Sequence, residues 1–122
     1  MDFKKSQTIY EQIADIVREN ILTDKWQAGD KIASVRELAA EIEVNPNTVM
    51  RSYSSLQEQG ILFNKRGIGF FVSDKAQKII HKMDKDIFIK EELPSIFRKM
   101  KLLHVDFEEL KNLYNKSKSK YL

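Results

Sequence analysis

Asn45, Asn47, Thr48 and Arg51 fall within seven consecutive residues, and their side chains suit the reading of nucleic-acid edges. An Asn amide pairs bidentately with adenine, and an Arg guanidinium with guanine or with phosphate. Asn45 is also a good helix cap and Pro46 suits a first helical turn, so the group opens a helix whose backbone N–H groups favour phosphate. Arg36, one helix earlier, is expected near the same face. Lys65-Arg66-Gly67 places two cations beside a residue with no side chain, which suits close approach to DNA in a minor groove. Other chemistries find no support. His81 and His104 are the two histidines and stand far apart on different expected elements, so no metal site is expected. With no cysteine, the chain has no thiolate ligand, thiol nucleophile or disulfide. Gly67-x-Gly69 does not lead from a strand into a helix, so it is no nucleotide loop. No catalytic triad or inward carboxylate pair is evident, and neither an enzyme nor a cofactor is expected.

These residues need elements to position them. Thr8 and Glu11 have capping-box spacing, and Ile9, Ile13, Ile16, Val17 and Ile21 follow a 3.6-residue period that Asn20 alone interrupts, predicting a helix from Thr8 to about Thr23. Gly29-Asp30 marks the turn beyond it. Ser34 and Glu37 repeat the capping box, with Val35, Leu38, Ala39 and Ile42 as a short apolar stripe. A third helix starts at Asn45, buries Val49, Tyr53 and Leu56, and closes at Gly60. The period then changes. Ile61-Leu62-Phe63 and Phe70-Phe71-Val72 are β-prone runs joined by a basic, glycine-rich tip, which predicts a hairpin. Past Ser73 the pattern is helical again, with Asp74 and Gln77 as candidate caps, a break or restart at Pro94, and a further cap at Asp106.

Two short helices, a tight turn between them and a hairpin after them spell a winged helix-turn-helix. The expected fold is mainly α with a small β-hairpin wing. Residues 1–73 form the DNA-binding domain and residues 74–122 a helical dimerisation region. The tail holds too little apolar material for a core of its own. Its stripe, Ile79, Ile80, Met83 and Ile87, is therefore expected to pack against the same stripe of a second subunit.

The stretch SVRELAAEIEVNPNTVMRSYSSLQEQGILFNKRGIGFFV resembles the winged helix of the GntR family of bacterial transcription regulators. The N-P-N-T-V element, the spacing of Tyr53 and Leu56, Gly60 and the R-G-x-G-x-F-V wing carry the resemblance. The short helical tail resembles the YtrA-type subfamily, which dimerises through C-terminal helices and lacks a large effector domain. The resemblance implies that Arg36, Asn45, Asn47, Thr48, Arg51, Arg66 and Gly67 contact operator DNA; Ser34 and Lys65 complete the candidate set. It also implies a cytoplasmic homodimeric regulator, more often a repressor, bound to double-stranded DNA carrying an inverted repeat. The helix over 45–59 would lie in the major groove and the wing over 61–72 on the adjacent minor groove or backbone.

The chain departs from the family pattern in three places. Glu43 stands where the family usually has Gly, in a turn that would require positive φ. Ile32-Ala33 replaces a common Leu-Pro. Pro46 and Met50 stand where many relatives carry Arg, which shifts base reading onto Asn47, Thr48 and Arg51. The competing reading is a winged-helix module that binds protein instead of DNA. The tail also leaves room for a small-molecule effector between its helices.

Composition describes a soluble, foldable chain: 122 residues, 42% hydrophobic, 32% charged, net charge +3. No apolar run approaches the roughly 18 residues of a membrane span, and residues 1–6 lack the apolar stretch of a signal peptide. The basic excess is unevenly placed. Residues 1–25 carry net −1, residues 26–74 net −1 and residues 75–122 net +5. Attraction to DNA in the head therefore depends on where Arg36, Arg51, Lys65 and Arg66 stand, while Glu37, Glu41 and Glu43 limit non-specific attraction.

Overall fold

Three capped helices come first. The computed structural model describes residues 7–121, with side chains to 118, and places α1 at Ile9–Leu22, α2 at Val35–Ile42 and α3 at Pro46–Glu58. Thr8 and Ser34 both form capping boxes. Each hydroxyl oxygen accepts the N–H of the glutamate three residues on, and that carboxylate accepts the N–H of the capping residue. Asn45 Oδ1 accepts the Asn47 N–H at 2.8 Å, and Pro46 occupies the first turn of α3, where its missing N–H leaves nothing unpaired.

The buried face of α1 is rotated from the one its isoleucines suggest. Ile13, Ala14, Val17 and Ile21 are buried, whereas Ile9 and Ile16 are 57% and 40% exposed. At 100° per residue the buried set centres near Val17, and Ile9 and Ile16 fall about a quarter-turn off it. Tyr10 falls on the same side of the helix and is half-buried, at the end nearest the middle of α3. Ser52 Oγ, fully buried, donates to the Tyr10 carbonyl at 2.5 Å and so joins the two helices.

Strands β1 (Leu62–Lys65) and β2 (Gly69–Val72) pair antiparallel, with Leu62 opposite Val72 and Phe63 opposite Phe71. Leu62, Phe70 and Val72 are buried; Phe63, Lys65 and Phe71 share the opposite face. The segment expected as a simple turn at Gly29-Asp30 does more. The Gly29 and Ile32 N–H groups donate to the Val72 and Phe70 carbonyls at 2.8 and 3.0 Å, and Lys31 bridges to Phe71. Strand β2 is thus hydrogen-bonded along both edges, which steadies a hairpin that would be marginal alone. At the tip the Lys65 carbonyl accepts the Ile68 N–H at 2.9 Å, and Gly67 has φ +79°, the conformation a type II turn needs at its third residue.

Helix α4 (Ala76–Ile87) follows, then a π-helical turn (Phe88–Glu92), α5 (Leu93–Leu103) and α6 (Phe107–Tyr121). Pro94 sits in the first turn of α5, and Asp106 Oδ1 accepts the Glu109 N–H at 2.8 Å to cap α6. Gln77, expected as a cap of its own helix, instead donates from Nε2 to the Ile21 carbonyl and to Asp24 Oδ1, closing the C-terminal end of α1.

The chain divides into two compact units, one ending at Met83 and one beginning at Asp84. The division lies about ten residues beyond the boundary expected at 73/74, because the first half of α4 belongs to the core of the winged helix. Ala76 and Ile80 are 1% and 0% exposed, and Ile79 and Met83 pack against the same core. The expected dimer stripe needs correcting accordingly. Ile80 has no surface to offer a second subunit, Ile79 and Met83 have only part of theirs, and Ile87 alone of the four is exposed.

Glu43 adopts φ 57° and ψ 50°, the left-handed conformation the turn was expected to require. The Val44 N–H reaches back to the Ala39 carbonyl at 3.0 Å, a Schellman closure of α2. A side chain there costs about 1 kcal/mol relative to glycine. Glu43→Gly is expected to raise the melting temperature by several degrees; a fall would show that the carboxylate contributes more than the strain costs. Ile80→Ala is expected to lower stability by about 2–5 kcal/mol in urea unfolding, as for a core position; a surface-like change below about 0.5 kcal/mol would return Ile80 to the surface.

Candidate nucleic-acid interface

The second helix of the helix-turn-helix presents its first turns to solvent. Asn45, Asn47, Met50 and Arg51 are exposed and Thr48 is half-buried, while Val49, Ser52 and Tyr53 turn inward. The alternation follows from helical spacing: 49, 52, 53 and 56 form the stripe that packs on α1 and α2, leaving 47, 50 and 51 outside it. Asn45 already uses its side-chain oxygen as a cap, which leaves its amide NH₂ for another partner.

Tyr53 fixes this helix in place. Its ring is fully buried and meets Phe70 of β2 edge-on, with centroids 5.0 Å apart, and its hydroxyl donates to the Ala33 carbonyl at 2.7 Å. Burial first, then the Glu37 and Glu41 charges, push the Tyr53 hydroxyl well above the ordinary phenol range, so it stays a donor. Glu37 shifts the other way. Hydrogen bonds from the Ser34 backbone and side chain, aided by Lys31, hold its carboxylate below the usual range and keep the α2 cap ionised.

The remaining candidates divide between frame and surface. Ser34 is half-buried and engaged in the cap of α2, which gives it a structural task at the start of the motif. Arg36, one residue into that helix, is exposed. Arg66 and Gly67 occupy the exposed hairpin tip. Lys65 is one residue back on the outer face of the hairpin. Its ammonium sits 4.6 Å from the centre of the Phe71 ring and 5.9 Å from that of Phe63, and those two rings are themselves stacked at 5.5 Å. Arg51 is also held by an aromatic ring: its guanidinium carbon lies 3.9 Å from the centre of Tyr10. Among the described residues no group of histidines and carboxylates is arranged to hold a metal ion.

Comparison with known proteins agrees with this geometry. The profile of the bacterial regulatory proteins of the gntR family matches residues 9–72, from the start of α1 to the end of β2. The chain belongs to the GntR family. Similarity to individual GntR regulators runs well past the matched region. The HTH-type transcriptional regulator YhcF of Bacillus subtilis is 39% identical over 108 residues, covering 88% of each chain. The HTH-type transcriptional repressor YtrA of the same organism is 37% identical, covering 90% of this chain and 84% of its own. A crystal structure of a GntR-family regulator from Bacteroides thetaiotaomicron superimposes with a TM-score of 0.82 at 42% identity, over 94% of this chain and all of that one. The winged helix is therefore that of a transcription regulator, in a family that binds DNA and is not one of enzymes. No described helix is long and apolar enough to cross a membrane.

Two residues of this GntR winged helix escaped the sequence reading. Lys31 belongs to the short segment paired with β2, and its signal was weak: one buried Ile32 between a turn and a helix cap. Tyr10 had a clearer signal. With Ala14, Val17 and Ile21 it falls at i, i+4, i+7 and i+11, the spacing of the inward face. Counting isoleucines alone concealed it.

Proposed function

We propose that this GntR regulator is a repressor that acts in the cytoplasm and binds an inverted-repeat operator as a homodimer. Helix α3 reads the major groove, and the wing lies on the adjacent minor groove or backbone. The observation that carries this reading is the second unit. The unit that begins at Asp84 is a compact body in which no described side chain is buried. A unit of about 40 residues without disulfides seldom stands alone, and this chain has no cysteine.

Part of the apolar surface of that unit forms a groove between its helices. Phe88, Leu93, Ile96, Phe107, Leu110, Leu113 and Tyr114 line an open groove of about 530 Å³. Phe107, Leu113 and Tyr114 are each more than half exposed. Covering such a surface with its copy in a second chain is the economical way to bury it, and closed twofold pairing is the commonest assembly. Two heads joined about a twofold axis match a palindromic site with half-sites about one helical turn apart. The similarity to YtrA, named as a repressor, spans most of both chains and supports the same direction of control.

Selection from a random duplex pool, followed by sequencing, tests the reading. An inverted repeat is expected; a pool that stays random, with no salt-dependent binding, would favour the protein-interaction module instead. Sedimentation is expected to give the mass of two chains, and Phe107→Glu to give that of one and to weaken operator binding. A wild-type chain that sediments as one copy at micromolar concentration would remove the homodimer. Arg51→Ala is expected to lower affinity for the selected duplex by about 1–3 kcal/mol and to relax its sequence preference. Equal losses on selected and random duplex would assign Arg51 to phosphate.

A further inference from the structure

Arg51 is the one cation on the solvent side of α3, and the structure gives it an aromatic support. Its guanidinium carbon lies 3.9 Å from the Tyr10 ring centre, close enough for the flat face of the cation to rest on the ring. No carboxylate pairs with Arg51 among the described residues, in contrast to Arg18, which is held by Asp15. The difference matters chemically. An ion pair occupies the N–H groups a guanidinium would use on a base or phosphate, whereas an aromatic face beneath it leaves the in-plane donors free.

The support itself is anchored. The carbonyl of Tyr10 accepts from Ser52 Oγ at 2.5 Å, and Ser52 is the neighbour of Arg51 on α3. Ser52 is fully buried and also lies 3.4 Å from the Thr48 carbonyl, so it ties the first turn of α1 to the middle of α3. Ring and guanidinium are thus carried on two helices locked to each other one residue away from the contact.

The geometry points to Tyr10 as a positioning residue for Arg51. It holds the guanidinium in a limited range of rotamers, with its donors outward, before DNA arrives. An arginine restrained in this way loses less freedom on forming a bidentate contact than one extended into solvent. By this inference α1 takes part in sequence reading without touching DNA. The inference rests on Arg51 contacting the operator, as proposed above.

A double-mutant cycle on the full-length chain tests it, with the duplex recovered by selection and a random duplex as probes. Tyr10→Leu, which keeps apolar bulk and removes the aromatic face, is expected to weaken binding to the selected duplex about two- to fivefold. Binding to random duplex is expected to stay unchanged. Tyr10→Phe keeps the ring and is expected to bind as wild type. In an Arg51→Ala background Tyr10→Leu is expected to have no further effect. A loss of the same size in that background, or on random duplex, would make Tyr10 a packing residue and overturn the inference. So would wild-type affinity in Tyr10→Leu. Should Tyr10→Leu fail to melt cooperatively, Tyr10→Met takes its place in the cycle under the same expectations. If Arg51→Ala itself leaves affinity for the selected duplex unchanged, the contact proposed for Arg51 fails, and that result is read separately from the Tyr10 comparison.

Discussion

The hydroxyl of Tyr53 donating to the Ala33 carbonyl, with its ring against Phe70, is the contact on which the geometry of the head depends. One side chain on α3 touches the segment that leads into α2 and the strand that carries the wing. The three parts that must hold a fixed relation in a winged helix are therefore connected through a single buried group. A phenol suits the task because it offers a large apolar face for the core and one donor at its far end for a backbone carbonyl. Phenylalanine would fill most of the space and leave that carbonyl without its partner. Burial keeps the proton on the hydroxyl, so the link does not depend on pH in the range where carboxylates and histidines titrate.

A second link, Ser52 to Tyr10, does for α1 what Tyr53 does for the wing. Both links start from neighbouring residues of α3 and end on backbone carbonyls of other elements. The helix that carries the candidate base-reading residues is thus the hub of the fold: its inner face makes the buried connections, and its outer face touches α1 through Arg51. Arg51 is exposed and yet held: the two residues that follow it, Ser52 and Tyr53, are fully buried in the core.

Elements announced by local chemistry were legible in the sequence. Both capping boxes, the Asn45-Pro46 start of α3 and the Gly60 stop each depend on a few adjacent residues, while the left-handed turn at Glu43 was expected only from the family resemblance. The β-prone runs around a glycine-rich tip located the hairpin for the same reason as the caps. Features set by partners distant in the chain were not legible. Gln77 resembles an N-cap in isolation, and only the approach of α4 to the end of α1 brings the Ile21 carbonyl within its reach. The pairing of residues 29–32 with β2 has no pattern of its own because a one-residue bridge has no period. The candidate site divides likewise. Its exposed residues followed from helical spacing, while the aromatic rings beneath Arg51 and Lys65 lie on other elements or across the hairpin.

The stripe on α4 shows the limit of periodicity most directly. Ile79, Ile80, Met83 and Ile87 mark an apolar face correctly, but an apolar face does not say what covers it. In the structure its first two turns complete the winged-helix core, and its last turn enters a unit with no buried side chain of its own. One continuous stripe therefore passes from intramolecular burial to an open apolar surface between Met83 and Ile87. The charge distribution changes at nearly the same place: the head is net acidic, and the basic excess lies beyond residue 74. A head that carries no net positive charge gains little from non-specific attraction to DNA. Arg51 rests on the ring of Tyr10 and Lys65 lies over that of Phe71, and neither cation is ion-paired among the described residues, so on the proposed reading the head carries a few well-held charges in place of a broad basic surface.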